Sequence, residues 1–540
     1  MGSAMTTLGS RGLLLVTVLS SVAAPSNDTM PLAPPRELRV LSRQLRVDLA
    51  WGATETPVNF EVQRSRNPKG PFETLPVEFP SLAIYTDFIG QSGGDYYYRV
   101  RASRLGETNQ PSAVSTWSEV RSGSPQPLDV EQLLTEVQEA GFRYFYDYAH
   151  PVSGLARVGT RKSADLCSTG ATGWEMYNLV VGIERGFITR QEGGARALKI
   201  LRFLSEKADR FHGAFPHWVD GSSGKVIPFS KFDNGADLVE TAFLMEGVIL
   251  LREYFSGDNS NEAEIRKLAD ALWRAVEWDW FAQEKDGRAF LLWHWSPDYG
   301  WLKNHPILGF NECQIVYLLA LASPTHAIDP KYYWLGWESP HYATRRTEFG
   351  IPLELGRDVG PPLFWTHYSY LGFDPRQISY HGKTYFDHFQ DFCRVQVLYA
   401  ESKRAEFKGY GPLWGITAGY GPNGYHVFAP GPRDNGTINP SAALSSMPYV
   451  PNESRACLLE MYEKYGRQLW GPFGFYDGIN LSRNWVARDY LANDVGPIAP
   501  MIENYRSGLC WMTFRKAPEI GRVLKCLAEP PQETSNLTQH

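Results

Sequence analysis

The stretch DNGADLVETAFLMEGVIL, residues 233–250, indicates how the larger part of the chain folds. From Leu238 onward it is almost continuously apolar, and a helix that is apolar on every side is normally buried. Three acids stand at its start, Asp233, Asp237 and Glu240, and their i, i+4, i+7 spacing would place them on one helical face. Like charges beside a buried helix repel one another and resist loss of water. They either serve a polar ligand or cap the helix, where negative charge is favoured.

Helical periodicity extends on both sides of this stretch, from about residue 127 to 528. Apolar residues recur at helical spacing in segments 130–142, 174–185, 191–208, 238–254, 262–280, 311–322, 386–403 and 458–465. Many of these segments are followed by loops rich in Gly, Pro, Trp and Tyr. Helix pairs joined by long loops over about 400 residues are typical of an α/α toroid with its loops around a central cleft. An α-solenoid is the alternative, but the sequence has no fixed-period repeat.

Residues 36–123 follow a different pattern. Short runs alternate apolar and polar residues, as in 47–51, 60–64 and 96–102, and turn residues separate them. A period of two broken by turns predicts a small antiparallel β-sandwich. Trp51 and the run Tyr98-Arg99-Val100-Arg101-Ala102 resemble a fibronectin type III module, which implies a spacer or docking role.

The N-terminus has the pattern of an export signal. Arg11 precedes an apolar run at 12–19, and small residues continue to Ala24. We therefore predict a signal peptide at 1–24, a Pro- and Ser-rich linker at 25–35, and a secreted or periplasmic protein. An uncleaved anchor is the alternative. Residues 529–540 are predicted to form a disordered tail.

Composition narrows the range of partners. The net charge is −6 and no basic block is present, which argues against nucleic acid and anionic membranes. Aromatic residues make up 14% of the chain, a composition that suits stacking on sugar rings as well as packing. We expect a monomer without a membrane span. The six cysteines form no metal-type pair, and they are either disulfides, with Cys510 and Cys526 nearest in sequence, or buried thiols.

Two further acids stand beside apolar runs. Glu312 opens the run at 314–322, and Asp494 precedes a Gly-Pro turn with apolar flanks. A carboxyl group against apolar neighbours has a raised pKa, which suits a general acid. Hydrolysis of an acetal needs one acid to protonate the leaving oxygen and a second carboxylate to activate water or attack the sugar. The residues alone indicate only that several inward-facing acids exist among aromatic loops.

A resemblance to a known family adds to this interpretation. From about 128 to 516 the chain resembles the glycoamylase-like β-1,2-glucanases, glycoside hydrolase family 144 and its relatives. The similar stretches are 168–170, 182–186, 237–242, 309–312, 323–326, 414–418, 439–443, 474–477 and 501–506.

The resemblance implies a mainly α fold, an (α/α)6 barrel, and inverting hydrolysis of β-1,2-linked glucose polymers. It implies that Glu312 is the general acid and that Asp494 is the general base, acting through a relay of water and a substrate hydroxyl. Asp233, Asp237 and Glu240 match the cluster that binds sugar hydroxyls. We expect further substrate contacts from aromatic residues: Trp218, Trp414, Tyr425 and Trp485. This chemistry needs no cofactor, and we expect no metal.

The sequence therefore predicts a hydrolase of β-glucan, in the first place an endo-β-1,2-glucanase that releases short oligosaccharides such as sophorose. An exo-acting enzyme or a hydrolase of another glucan linkage is the second interpretation. A non-catalytic polysaccharide-binding protein that keeps the aromatic cleft is the third. A polysaccharide lyase on the same barrel would need Tyr or His as its base.

Overall fold

The computed structural model describes residues 32–52, 58–105, 111–339, 342, 344–356 and 358–528. The predicted signal peptide, residues 25–31 of the predicted linker and the predicted tail lie outside these ranges. Within them the chain divides into two compact units. The first comprises 32–40, 50–83 and 96–122, and the second comprises 41–49, 84–95 and 123–528. Two short segments of the predicted sandwich thus belong to the unit that contains the helices.

The N-terminal region is built from strands. They are β1 (Arg39–Arg43), β2 (Arg46–Ala50), β3 (Asn59–Ser65), β4 (Glu73–Leu75), β5 (Ile84–Phe88), β6 (Tyr96–Leu105), β7 (Pro111–Val114) and β8 (Arg121–Gly123). One sheet has the order β1-β2-β5, and the other has the order β4-β3-β6-β7 with β8 also on β6.

Alternation along β3 and β6 explains the larger sheet. Val62 lies opposite Val100 in the antiparallel register, and both are fully buried, as is Phe60 on the same face. Glu61 lies between Phe60 and Val62 in the strand. It points to the other face and forms an ion pair of 2.7 Å with Arg101. This period of two is the pattern that predicted β structure, and the sheet-rich N-terminal region is confirmed. The fibronectin type III identity stays a prediction.

A buried arginine is a notable feature of the second unit. Arg46, 2% exposed, donates from Nη1 to Glu136 Oε2 at 2.6 Å and to the Tyr462 hydroxyl at 2.5 Å. Its guanidinium also lies 4.5 Å from the ring centroid of Trp470. A buried charge is tolerated only where it is paired and hydrogen-bonded in this way.

Replacing Glu136 by Ala should destabilise the protein by about 3 kcal/mol, because it removes the nearer and more deeply buried of the two carboxylates that pair with Arg46 and leaves only Asp48, at 3.2 Å. The measurement is urea unfolding followed by tryptophan fluorescence. The matched control is Glu264→Ala, which breaks the exposed ion pair with Arg202 and should cost less than about 1 kcal/mol. Equal losses in the two variants would contradict the prediction.

The remainder of the described chain is mainly helical. The helices are α1 (Val130–Asp147), α2 (Thr169–Glu184), α3 (Arg190–Glu206), α4 (Leu238–Tyr254), α5 (Ser260–Arg274), α6 (Gln314–Ala322), α7 (Tyr385–Ser402), α8 (Pro440–Ser445), α9 (Pro451–Leu469), α10 (Ala492–Val495), α11 (Ile498–Arg506), α12 (Leu509–Phe514) and α13 (Pro518–Ala528).

Helices α2 and α4 form the centre of this unit. Nearly every residue of both is buried, as the apolar sequence of α4 predicts. Glycines let their backbones touch: a Cβ on Gly173 would lie 2.0 Å from the Phe243 carbonyl oxygen, and one on Gly247 would lie 2.2 Å from the Gly173 carbonyl oxygen. Helices α3 and α5 differ, since each buries one face only.

Short strands lie in the segments that connect the helices. They are β9 (Leu166–Ser168), β10 (Trp218–Asp220), β11 (Val226–Ile227), β12 (Ala236–Asp237), β13 (Ala282–Lys285), β14 (Arg288–Leu292), β15 (His294–Trp295), β16 (Pro306–Ile307), β17 (Arg346–Glu348), β18 (Ile351–Leu353), β19 (Ser379–Tyr380), β20 (Lys383–Thr384), β21 (Ala418–Gly421), β22 (Gly424–Val427), β23 (Trp470–Gly471), β24 (Gly474–Phe475), β25 (Gly478–Asn480) and β26 (Trp485–Ala487). Strand β12 ends at Asp237, and β10 begins directly after His217, which lies beside Asp237.

The structure corrects several predicted helices. The predicted helix 262–280 ends at Arg274, and Trp278–Phe281 forms a separate 3₁₀ turn. The predicted helix 311–322 begins only at Gln314, which leaves Glu312 in the preceding turn. The predicted helix 458–465 is the middle of the longer α9, and α8, α10, α11, α12 and α13 were not predicted.

The structure also describes the state of the cysteines and the helices that could span a membrane. Five cysteines are buried free thiols, so the buried-thiol alternative describes them and no Cys510–Cys526 bridge is formed. The five are Cys167, Cys313, Cys393, Cys457 and Cys510. Among the described residues, no helix combines the length and apolarity that a bilayer span requires.

Candidate active site

The acids at the start of α4 have distinct positions. Asp237 is the N-cap, and its Oδ1 accepts from the main-chain N–H groups of Val239 and Glu240, both at 3.0 Å. Because the helix begins at Leu238, Asp233 lies outside it, and the prediction of one shared helical face is wrong for Asp233. The capping alternative holds for Asp237. The other oxygen, Oδ2, lies 3.0 Å from His217 Nδ1, and the side chain is fully buried, so Asp237 has both oxygens engaged within the protein.

Glu240 is fixed against the start of α2. Its Oε2 accepts from the Gly170 N–H at 3.0 Å and from the Ser168 hydroxyl at 3.2 Å. A Cβ at position 170 would lie 2.5 Å from that oxygen, so glycine is required for this approach. Burial raises the pKa of Glu240, and the neighbouring Asp237 adds to the rise.

A histidine faces two of these carboxylates. His217 Nδ1 lies 3.0 Å from Asp237 Oδ2, and its Nε2 lies 3.7 Å from Glu240 Oε1. Burial alone would lower the pKa of His217, but Glu240 and Asp237 outweigh it and raise the pKa to about 9. His217 is therefore positively charged at neutral pH, and it partly neutralises the cluster.

Asp233 has its own cationic neighbours. Its Oδ2 lies 2.9 Å from Lys303 Nζ and 3.2 Å from His294 Nε2. Burial would raise the pKa of Asp233, but His294 and Lys303 together lower it. The strand pair β12–β15 explains this position, since His294 lies opposite Asp237 in its register.

Three residues of this cluster have the donor set of a metal site. His217, Asp233 and Asp237 each offer one ligand atom, all within 4.8 Å of one another. The Lys303 ammonium lies beside the same Asp233 oxygen and 3.1 Å from His294 Nε2. The lysine therefore supplies positive charge there, and a divalent cation would have to displace it.

Glu312 is held by main-chain contacts. Its carbonyl accepts from the Ser369 hydroxyl, and Asn311 Oδ1 accepts from the Cys313 N–H at 2.8 Å, which fixes the turn before α6. Burial raises the pKa of the Glu312 carboxyl to about 7, and the charge of Glu240 adds to the rise. A carboxyl of this kind can hold its proton near neutral pH and then donate it.

Asp494 forms a close pair with another acid. It lies in α10, is 5% exposed, and neighbours Asp477, which is equally buried. The Tyr420 N–H donates to Asp477 Oδ2 at 2.5 Å. Burial raises the pKa of Asp477 to about 6, and burial together with Asp477 raises the pKa of Asp494 well above its ordinary value.

Two tyrosines show that the separate acids converge. Burial is the largest cause of the raised pKa of the Tyr425 phenol, and nearby carboxylates add to it: Asp494, Asp477, Glu312 and Glu240. Asp494, Glu312 and Asp477 act in the same way on Tyr368. Contacts agree with this: Ser369, next to Tyr368, donates to the Glu312 carbonyl. The ring of Trp174 lies 4.4 Å from that of Tyr368, and Trp174 packs against Gly496, two residues after Asp494. Tyr368, Asp477 and Asp494 are buried, whereas the Tyr425 side chain is 47% exposed, so the loss of water around its phenol is only partial.

The predicted aromatic contacts divide into two groups. Trp218 is partly exposed and lies 4.7 Å, between ring centroids, from the exposed Phe229 beside His217. Trp485 is also partly exposed, on β26. Trp414 is 2% exposed, and its indole N–H donates to the Glu453 carbonyl. A fully packed indole cannot stack on a sugar. Trp414 is therefore part of the core, and its prediction as a substrate contact is wrong.

The sequence did not identify five residues of the candidate site: His217, His294 and Lys303 beside the acids of α4, and Tyr368 and Asp477 near Glu312 and Asp494. Asp477 stands in one of the stretches that resemble the family, which was the one available signal. His294 and Lys303 reach Asp233 only because β15 pairs with β12, and such short strands leave no periodicity to read.

Comparisons with known proteins identify the family of this chain. The family model Glycoamylase, described as "Putative glucoamylase", matches residues 304–518. The exo β-1,2-glucooligosaccharide sophorohydrolase (non-reducing end) of Parabacteroides distasonis is 41% identical over 477 residues, 84% of this chain. The chain spans 65% of that relative's length, just under two thirds.

Two solved structures are similar over longer shares of their own chains. The β-1,2-glucanase from Parabacteroides distasonis has a TM-score of 0.87 at 39% identity, covering 92% of this chain and 73% of that one. The endo-β-1,2-glucanase from Chitinophaga pinensis, in complex with sophorotriose and glucose, has a TM-score of 0.71 at 42% identity, covering 74% and 98%. This chain therefore belongs to the glycoamylase-like β-1,2-glucanases, glycoside hydrolase family 144 and its relatives.

Proposed function

We propose that this chain is a glycoside hydrolase that cleaves β-1,2-linked glucan with inversion of configuration. The observation that carries the proposal is that contacts around Tyr368 bring the segments of Glu312 and Asp494 together, through Ser369 on one and Trp174 on the other. The substrate comes from the relatives, whose names specify β-1,2-glucans and their oligosaccharides.

In the proposed reaction Glu312 donates its proton to the glycosidic oxygen as the bond to the anomeric carbon breaks. Water attacks that carbon from the opposite face and gives its proton to Asp494, directly or through a substrate hydroxyl. Asp233 and Glu240 accept hydrogen bonds from sugar hydroxyls. Asp237 was predicted to do the same, but it is fully buried with both oxygens engaged, and its role is to hold His217 and cap α4. Trp218, Tyr425 and Trp485 present partly exposed rings against which sugars can pack.

We also propose that the helices form an (α/α)6 barrel. Helices buried on all sides, such as α2 and α4, alternate along the chain with helices that bury one face, such as α3 and α5. An inner and an outer ring of helices would produce this alternation.

The cleavage mode has two candidates. Endo cleavage follows the sequence prediction and the Chitinophaga pinensis structure, whereas release of disaccharides from chain ends follows the sophorohydrolase, which is similar over more of this chain. The test is incubation with β-1,2-, β-1,3-, β-1,4- and α-linked glucans. Reducing ends should appear only with β-1,2-glucan, and early long fragments indicate endo cleavage, whereas sophorose from the start indicates exo cleavage. Binding without new reducing ends would support the non-catalytic alternative.

Export and a monomeric state are further parts of the proposal. They rest on the sequence of residues 11–24 and on the composition. N-terminal sequencing of the mature protein and its sedimentation velocity test them.

The activity should decline as the pH rises through about 7. The general acid must be protonated, and burial places the pKa of Glu312 at about 7, so the alkaline limb of kcat/KM should lie there. Glu240→Gln removes a neighbouring negative charge, lowers the pKa of Glu312 and should move that limb to lower pH. A profile that stays flat above pH 8 would contradict the assignment.

A further inference from the structure

A small cavity lies beside Asp494. Its volume is about 10 Å³, and Ser441, Asp477, Tyr490 and Asp494 are among the residues that line it. A volume of roughly 10–15 Å³ is enough for one water molecule, provided that the walls offer two to four polar partners.

The walls of this cavity offer three polar atoms as partners for a water molecule. Asp494 Oδ2, Asp477 Oδ1 and Ser441 Oγ are buried, and within the part of the chain that the structure describes no N–H or hydroxyl group donates to any of them, although the two carboxyl groups lie close enough to share a proton. The three residues are 5%, 5% and 8% exposed. Buried polar atoms are rarely left unpaired, because each would cost the free energy of its lost hydration.

We propose that Asp477, Asp494 and Ser441 together hold one ordered water in this cavity, and that Asp477 is a positioning residue that sets the proton affinity of Asp494. The second part rests on the proposed function, in which Asp494 is the general base. Asp477 does not face the substrate in this proposal but acts through Asp494.

The charges around the pair support this role. Two adjacent buried carboxyls cannot both ionise easily, so the pair keeps one proton near neutral pH. The Tyr420 N–H favours the ionised form of Asp477, which leaves the proton on Asp494. The other titratable groups that face the pair are Tyr368, Tyr425, Asp489 and Tyr490.

This arrangement explains how a buried acid can serve as a base. Asp494 accepts the proton of the attacking water only when its own proton has passed to Asp477, and the ordered water and the Ser441 hydroxyl offer a route for that transfer. The presence of Asp477 raises the proton affinity of Asp494, and a base whose pKa approaches the working pH is a more effective catalyst.

Two measurements on the full chain test the proposal. A high-resolution crystal structure of the wild type should show a water about 2.5–3.2 Å from Asp494 Oδ2, Asp477 Oδ1 and Ser441 Oγ. Asp477→Asn keeps the shape and removes the charge, so it should move the acid limb of kcat to lower pH by about one unit, with little change in KM. Asp434→Asn, a neutralised acid bonded to Tyr410 and outside the cavity, is the matched control and should leave the limb in place.

The outcomes are separable. A cavity without water, or a water that does not contact the two carboxyls, overturns the site. An acid limb that is unchanged in Asp477→Asn, or equally shifted in Asp434→Asn, overturns the positioning role. If Asp477→Asn does not fold, Ser441→Ala should lower kcat several-fold at constant KM, and unchanged kcat would count against the proposal. If the wild type cleaves no glucan, the proposed function fails, while the crystal structure still decides the water site.

Discussion

Glu312→Gln should lower kcat on β-1,2-glucan by about 10²–10⁴-fold, because glutamine keeps the shape of the side chain but has no proton to donate to the leaving oxygen. Binding should survive, since the carboxylates expected to contact sugar hydroxyls are elsewhere. The measurement is release of reducing ends under saturating substrate, together with calorimetric titration of the variant with a β-1,2-glucooligosaccharide.

Glu246→Gln is the matched control for this variant. Glu246 lies in α4, is fully buried, and has a pKa that burial raises to about 8, yet it bonds to the Gly372 N–H. Loss of turnover in Glu312→Gln but not in Glu246→Gln would show that turnover requires the carboxyl group at position 312 and not merely any buried carboxyl group. Wild-type kcat in folded Glu312→Gln would remove Glu312 as the acid.

Asp494→Asn should reduce kcat by a similar factor, because an amide cannot accept the proton of the attacking water. The loss should persist at every pH, which distinguishes it from Asp477→Asn, where the main effect should be a shift of the acid limb. Asp434→Asn again serves as the control for folding and for neutralisation of an acid.

Activity of Asp494→Asn within about twofold of wild type would place the base elsewhere. The acidic cluster of Asp233, Asp237 and Glu240 would then be the next candidate, since His217 and Lys303 keep part of it ionised.

Strong apolar segments made much of the fold predictable. The run of α4 is almost continuously apolar, so both its helical state and its burial followed from the sequence, whereas for α2 only the helical state did. Helix α11 and the start of α9 could not be predicted as easily, because polar residues interrupt their apolar faces and tertiary packing decides their conformation. Strands of two or three residues carry no periodicity at all.

The candidate site was predictable as a set of acids but not as an arrangement. Glu312 and Asp494 stood out as acids beside apolar runs, and the family resemblance supplied their expected roles. The contacts of Asp494 with Asp477, and of Asp233 with Lys303, join distant segments and leave no local signal. Trp414 shows the opposite failure, since a loop tryptophan looks the same in sequence whether it packs or stacks.

The most direct test of the central proposal is the configuration of the first product. Proton NMR spectra recorded in the first minutes of β-1,2-glucan cleavage, before mutarotation, identify the anomer that is formed. A direct displacement by water, with Glu312 as acid and Asp494 as base, predicts that the α-anomer appears first. Initial formation of the β-anomer would require a covalent intermediate or another pair of acids, and it would contradict the proposed roles.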